Sequence, residues 1–189
     1  MTKTKTKETK IEFKKLREPV LPKGELAVKM RGVSGEWIEA RLHPLNETQR
    51  GKITSAIQIV QSRLKEPNHL KISKEDFLTI VQVSIFLRTQ SKDIGAYSAP
   101  DQGWGAPAII LNTESLIWED KMELAVTVLH EAAHLWDFLN GRDAGDRDTS
   151  SKKEAMHAVL CYAALKMALP TRHWAFKKYP DLLGKITSD

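Results

Sequence analysis

Residues 121–140 read KMELAVTVLHEAAHLWDFLN, an apolar stretch of helical length with His130-Glu131-Ala132-Ala133-His134 at its centre. Few patterns constrain a chain more. Side chains four apart share one face of an α-helix, so both imidazoles can address a single metal ion. Glu131, offset around the axis, can reach a water beside that ion as a general base. Leu124, Val128, Leu129, Leu135, Phe138 and Leu139 predict a buried helix. Asp120 with Glu123 three residues later predicts a capping box at its start, and Gly141 stands where a C′ glycine would end it. Two histidines that merely pack in a core helix are the plain alternative, but they would have no need of a glutamate between them.

The rest of the chain narrows the setting. A length of 189 residues suits one domain, or one domain with extensions, and is ample for a core. Cys161 is the only cysteine, which excludes a disulfide framework and a cysteine-rich zinc ribbon. It lies in an apolar helical run and is expected to be a buried thiol. Charges interrupt every apolar run before a membrane-spanning length, and the N-terminus lacks the apolar centre of a signal peptide. A cytoplasmic protein with no membrane contact is therefore expected. The net charge of +5 is concentrated in residues 1–23, leaving 24–189 formally neutral. MTKTKTKETK has no hydrophobic periodicity, so this basic tail is expected to be disordered. It serves either as a solubilising leader or as a source of non-specific, salt-sensitive DNA contact.

Beyond the tail, Glu25–Met30 and Glu36–Leu42 flank a glycine-containing turn and predict a β-hairpin. Asn46 and Gln49 form a capping-box pattern for a helix running to about Lys65. Ser73 and Asp76 cap a second segment, Phe77–Leu87, which is read as a helix despite its Ile and Val content. The segments Gly95–Ser98 and Ala108–Leu111 are expected to be paired strands leading into the motif helix. Ser151 and Glu154 then open a helix that continues to about Leu169, before Pro170. Trp174, Phe176 and Tyr179 are expected to pack back on the domain.

A catalytic zinc usually takes three protein ligands and keeps one position for water. The extended pattern HExxHxxGxxH is absent, because Asp137 and Asn140 stand where glycine and histidine would be needed. Two candidates for a third ligand lie on the following helix. Glu154 follows His134 by twenty residues, and His157 shares its helical face three residues later. Glu154 doubles as the expected capping partner of Ser151, and His157 is placed ahead of it. Asp137 lies on the ligand face near the end of its helix, where a carboxylate opposes the dipole. A hydrogen bond to a ligand imidazole would account for it there, and an exposed surface aspartate is the plainer reading.

The stretch AIILNTESLIWEDKMELAVTVLHEAAHLWDFLNG, followed by DTSS and a helix containing His157, resembles the SprT-like zinc metallopeptidases, chiefly bacterial and phage-borne members. Gly95-Ala96-Tyr97 and Trp104 match that family's upstream loop. The resemblance covers roughly residues 85–170. It implies a zincin-like fold, a histidine as third ligand, and protein substrates, in some members proteins attached to DNA. RDAGDR is longer than the family's usual connection, and the residues just before His157 depart from its pattern. The Glu154–Ala158 segment also resembles the ImmA/IrrE peptidases, which use a glutamate as third ligand and cleave a regulatory protein.

The expected fold is therefore α+β: a small, mainly antiparallel sheet packed on the HExxH helix, with further helices on either side. Its organisation is a tail (1–23), an N-terminal hairpin and helices of unknown role (24–84), and a metallopeptidase core (85–189). The expected chemistry is Zn2+ held by His130, His134 and His157, or alternatively Glu154, with Glu131 as general base acting on a protein or peptide. A non-catalytic metal-binding interaction protein is the rival class.

Overall fold

The computed structural model describes residues 16–17, 26–31, 36–90, 96–99, 101, 104–113, 115–142, 152–170 and 173–181. Residues 1–15 and 18–25, the turn between the first two strands, and residues 143–151 with Asp148-Thr149-Ser150 lie outside the described residues. Leu16 and Arg17 of the expected disordered tail are instead ordered against the fold, Leu16 buried in the core and Arg17 bridged to Ile85.

Strands β1 (Leu26–Arg31) and β2 (Trp37–Pro44) pair antiparallel, with Leu26 opposite Leu42 and Arg31 opposite Trp37. This is the expected hairpin. Its alternation is that of a sheet with one wet face: Ala40 and Leu42 are buried, whereas Glu39 and Arg41 between and beside them are exposed. Helix α1 (Glu47–Arg63) begins at Asn46, and the reciprocal bonds between Asn46 and Gln49 are both present. Ile53, Ala56, Ile57 and Val60 bury one face of it. Their spacing is the helical stripe that packs on a neighbour.

Helix α2 (Lys74–Val83) carries the Ser73–Asp76 capping box but stops earlier than expected. The chain turns at Ser84 and continues as strand β3 (Ile85–Thr89). The segment Phe77–Leu87 is thus a helix joined to a strand, which corrects the expectation of one helix. Ile85, Phe86, Leu87 and Thr89 are all buried because β3 is covered on both faces. A short apolar run of that kind has no period by which helix and strand can be told apart.

Strands β4 (Ala96–Ala99) and β5 (Ala108–Asn112) pair antiparallel as expected. β5 also pairs in parallel with β3, giving the sheet order β1-β2-β3-β5-β4. Three of the four pairings are antiparallel. Side chains alternate across this sheet. Phe86, Ile109 and Leu111 face the helices, and Ile85, Leu87, Ala108 and Ile110 form a second cluster that includes Trp104.

Helix α3 (Lys121–Leu139) carries the HExxH motif across the helical face of the sheet. Leu124, Val128, Leu129 and Leu135 are buried in one cluster with Ile53 and Ile57 of α1 and Phe77 of α2, so residues before and after position 85 share a single core. Phe138 and Leu139, expected to be buried, are 39% and 55% exposed because the last turn of α3 outruns its packing partners. At the N-terminus the Asp120 side chain accepts from the Met122 and Glu123 amides. The Glu123 carboxylate is engaged instead by Tyr162.

The C-terminus of α3 is a Schellman motif: the Gly141 amide donates to Phe138 O and the Arg142 amide to Asp137 O. Gly141 has φ +66°, and a Cβ added there would meet nothing within 4 Å. The cost of a side chain at this position is therefore conformational. Gly141→Ala is expected to lower stability by about 1 kcal/mol, read as a shift in the urea midpoint at unchanged slope. An unchanged midpoint would remove the need for glycine.

Helix α4 (Lys152–Ala164) follows, ending well before the expected Leu169. Lys166 adopts φ 56°, and the Lys166 and Met167 amides close the helix on Ala163 O and Tyr162 O. The same hydrogen-bond pattern that a glycine provides on α3 is made here by a lysine, which leaves no sequence signal. Helix α5 (Trp174–Lys178) is capped by His173 and packs Ala175 against Ala155 and Val159 of α4.

Candidate metal centre

Helix α3 presents His130 and His134 toward the first two turns of α4, which present Glu154 and His157. Nε2 of His134 lies 3.1 Å from Nε2 of His130. One Glu154 oxygen is 2.6 Å from His130 Nε2, and the other is 3.2 Å from His134 Nε2. His157 Nδ1 is 3.1 Å from His134 Nε2. The donor atoms of all four residues lie within 4.8 Å of one another, so the group can hold a metal ion. The sequence offered Glu154 and His157 as rivals, and the fold brings both to the same point.

The electrostatics suit a cation. Burial opposes a charge on Glu154, but hydrogen bonds from His130 and His134 outweigh it and hold the carboxyl well below its usual range. His157 is pushed down to about 2 by burial and by the neighbouring imidazoles of His130 and His134, so it stands neutral with a lone pair available. Its Nε2 is buried without a hydrogen-bond partner. His130 moves the other way: burial disfavours its charge, yet contacts with Cys161 and Glu154 raise it. A proton on His130 thus offsets the Glu154 charge, in the position where a metal would do so. Three imidazoles and one carboxylate thus converge with nitrogens only 3.1 Å apart, a donor set that can hold a metal ion.

Glu131 takes no part in this cluster. It is buried, at 6% exposure, and has no hydrogen-bond partner among the described residues. It does line a cavity of about 620 Å³, together with His130 and Glu154. Ala96, Ile117, Val126, Ala158 and Trp174 supply much of the apolar wall. Glu123, Tyr162 and His173 also line it, with Tyr162 donating its hydroxyl proton to Glu123 and its ring edge-on to His173 at 5.4 Å. Burial and the Glu123 carboxylate push the Tyr162 phenol up, which keeps it a donor.

The sequence reading missed Glu123, Tyr162 and His173. A signal for the first two existed. Glu123 is seven residues before His130 and Tyr162 eight after Glu154, each two turns along the ligand face of its helix. Seven residues of helix span about 10 Å.

Cys161 is buried as expected, its sulfur 3.9 Å from His130 Nδ1, and burial pushes the thiol up and away from nucleophilic use. Asp137 does not meet an imidazole among the described residues. Its carboxylate pairs with Arg142 at 2.9 Å, because the Schellman turn folds Arg142 back over the last helical turn. Ser151, the expected capping partner of Glu154, lies outside the described residues. No described helix is long and apolar enough to cross a membrane. In comparisons with known proteins, the chain matches no family model, no curated protein and no solved structure.

Proposed function

We propose that the protein is a zinc-dependent metallopeptidase of zincin-like architecture. The observation that carries this reading is Glu131: a residue only 6% exposed that makes no hydrogen bond among the described residues and opens on the same cavity as the metal group. A carboxylate that opens on the cavity and is not tied up by a neighbouring side chain is placed for proton transfer at a bound substrate. His130, His134 and His157 supply three nitrogen donors, a set suited to zinc. Zinc, when bound, polarises a carbonyl and brings the pKa of water toward neutrality. Glu131 takes the proton from the attacking water and delivers it to the leaving amine. The cavity holds substrate side chains against Ile117, Val126 and Trp174. The resemblance to SprT-like peptidases supports a protein substrate, with DNA-associated proteins as the class to try first.

A second reading follows from Glu154, whose contact with His130 is shorter than any made by His157. A site of His130, His134 and Glu154 would suit an ImmA/IrrE-like peptidase acting on a regulatory protein. A third, non-catalytic reading takes the four donors as a closed structural site, and leaves Glu131 without a purpose.

The test is hydrolysis of an unfolded protein, and of a protein crosslinked to DNA, by the purified full chain. Cleavage should stop on chelation and return with stoichiometric zinc. A zinc-loaded chain that cleaves neither substrate would return the protein to the non-catalytic class.

A further inference from the structure

The four donors are not equivalent with respect to the cavity. His130 and Glu154 line it, whereas His134 and His157 stand behind them. Glu154 also touches the same Nε2 atoms of His130 and His134 that face one another, while Nδ1 of His130 is turned toward Cys161. A residue that merely oriented these imidazoles would bond to their far nitrogens. Glu154 instead sits among the donor atoms, on the side from which a substrate arrives.

We propose that Glu154 is a fourth, exchangeable metal ligand that shutters the site from the cavity, with His130, His134 and His157 as the permanent three. A carboxylate suits that part because it can leave a metal by rotation about its own side-chain bonds. An imidazole locked against a neighbouring helix cannot. Room for the movement exists. Helical side chains lean toward the N-terminus, so the residue at 158 would lie over Glu154, and it is alanine, itself part of the cavity wall. With Glu154 on the metal the protein supplies four donors and the site is closed; with Glu154 displaced, one position opens toward the cavity. The inference rests on the metal reading of the site and not on peptide hydrolysis.

The test uses the full chain loaded with Co2+, whose visible absorption reports coordination, titrated with azide. The wild type should respond weakly or not at all, and Glu154→Ala and Glu154→Gln should both respond strongly. Added acetate should suppress the response of Glu154→Ala by refilling the vacated space. Zinc competition should show His157→Ala losing more than the roughly 10–100-fold that an outer-shell partner contributes, and Glu154→Ala losing less than His157→Ala but a measurable part. Circular dichroism of each metal-free variant checks that it has folded, and Glu154→Gln, nearly the same size, serves if Glu154→Ala does not. An equal azide response in wild type and both Glu154 variants would overturn the proposal, as would unchanged zinc affinity in His157→Ala. None of these readouts involves a peptide, so a failed shutter would leave Glu131-dependent proteolysis standing, and absent proteolysis would leave the coordination result standing.

Discussion

Glu131→Gln is expected to reduce peptide hydrolysis by about 10²–10⁴-fold, the range contributed by a positioned general base, while zinc remains bound. The substitution keeps the size of the side chain and removes only its charge and basicity. Glu131 is outside the donor cluster, so stoichiometric zinc should be recovered from the variant by metal analysis. The carboxylate lines the cavity and makes no hydrogen bond among the described residues, so replacing it by the amide should leave the melting temperature essentially unchanged. Lost turnover with retained metal and undiminished stability separates a residue held for chemistry from one held for packing. Near-normal turnover in the variant would show that the proton is handled elsewhere.

His130→Ala is expected to abolish tight zinc binding. His130 lies 2.6 Å from one Glu154 oxygen and 3.1 Å from His134 Nε2, so its loss removes a donor from the middle of the group. Affinity should fall by more than the roughly 10–100-fold typical of losing an outer-shell partner. The consequence reaches stability. A ligand present at a hundred times its Kd stabilises the folded state by about 2.7 kcal/mol. For a chain of this size that corresponds to roughly 5–10 °C in melting temperature. Chelation should therefore lower the melting temperature of the wild type by that amount and leave His130→Ala where it was. A variant that still melts higher with zinc would place the metal elsewhere.

Much of the local structure was legible because it depends on near neighbours. The boxes at Asn46 and Ser73, the end of α3 at Gly141, and the β1–β2 pairing each follow from residues a few positions apart. The same local logic fell short at three places, one of them because a distant partner decided the outcome. Asp120 keeps its half of a capping box, but Glu123 leaves it for Tyr162, 39 residues away in sequence. Asp137, most plainly read as a surface aspartate, pairs with Arg142 five residues on and meets no imidazole among the described residues. Lys166 ends α4 in a left-handed conformation that no sequence rule assigns to lysine.

At the site, the sequence alone determined that His130 and His134 share a helical face and that Glu131 stands beside them, because helical periodicity is a property of the backbone. It also placed Glu154 and His157 near one face of the next helix, and there it stopped. Which of them meets the motif depends on the distance and rotation between α3 and α4, set by the packing of Leu129, Ala132, Leu135, Cys161 and Tyr162 in the common core. Only the tertiary structure decided that both arrive, that Glu154 lies on the cavity side, and that residues 85–89 pair with β5 as a strand. Contacts between elements are made by side chains remote in sequence, and their energies outweigh the weak local preferences from which a sequence can be read.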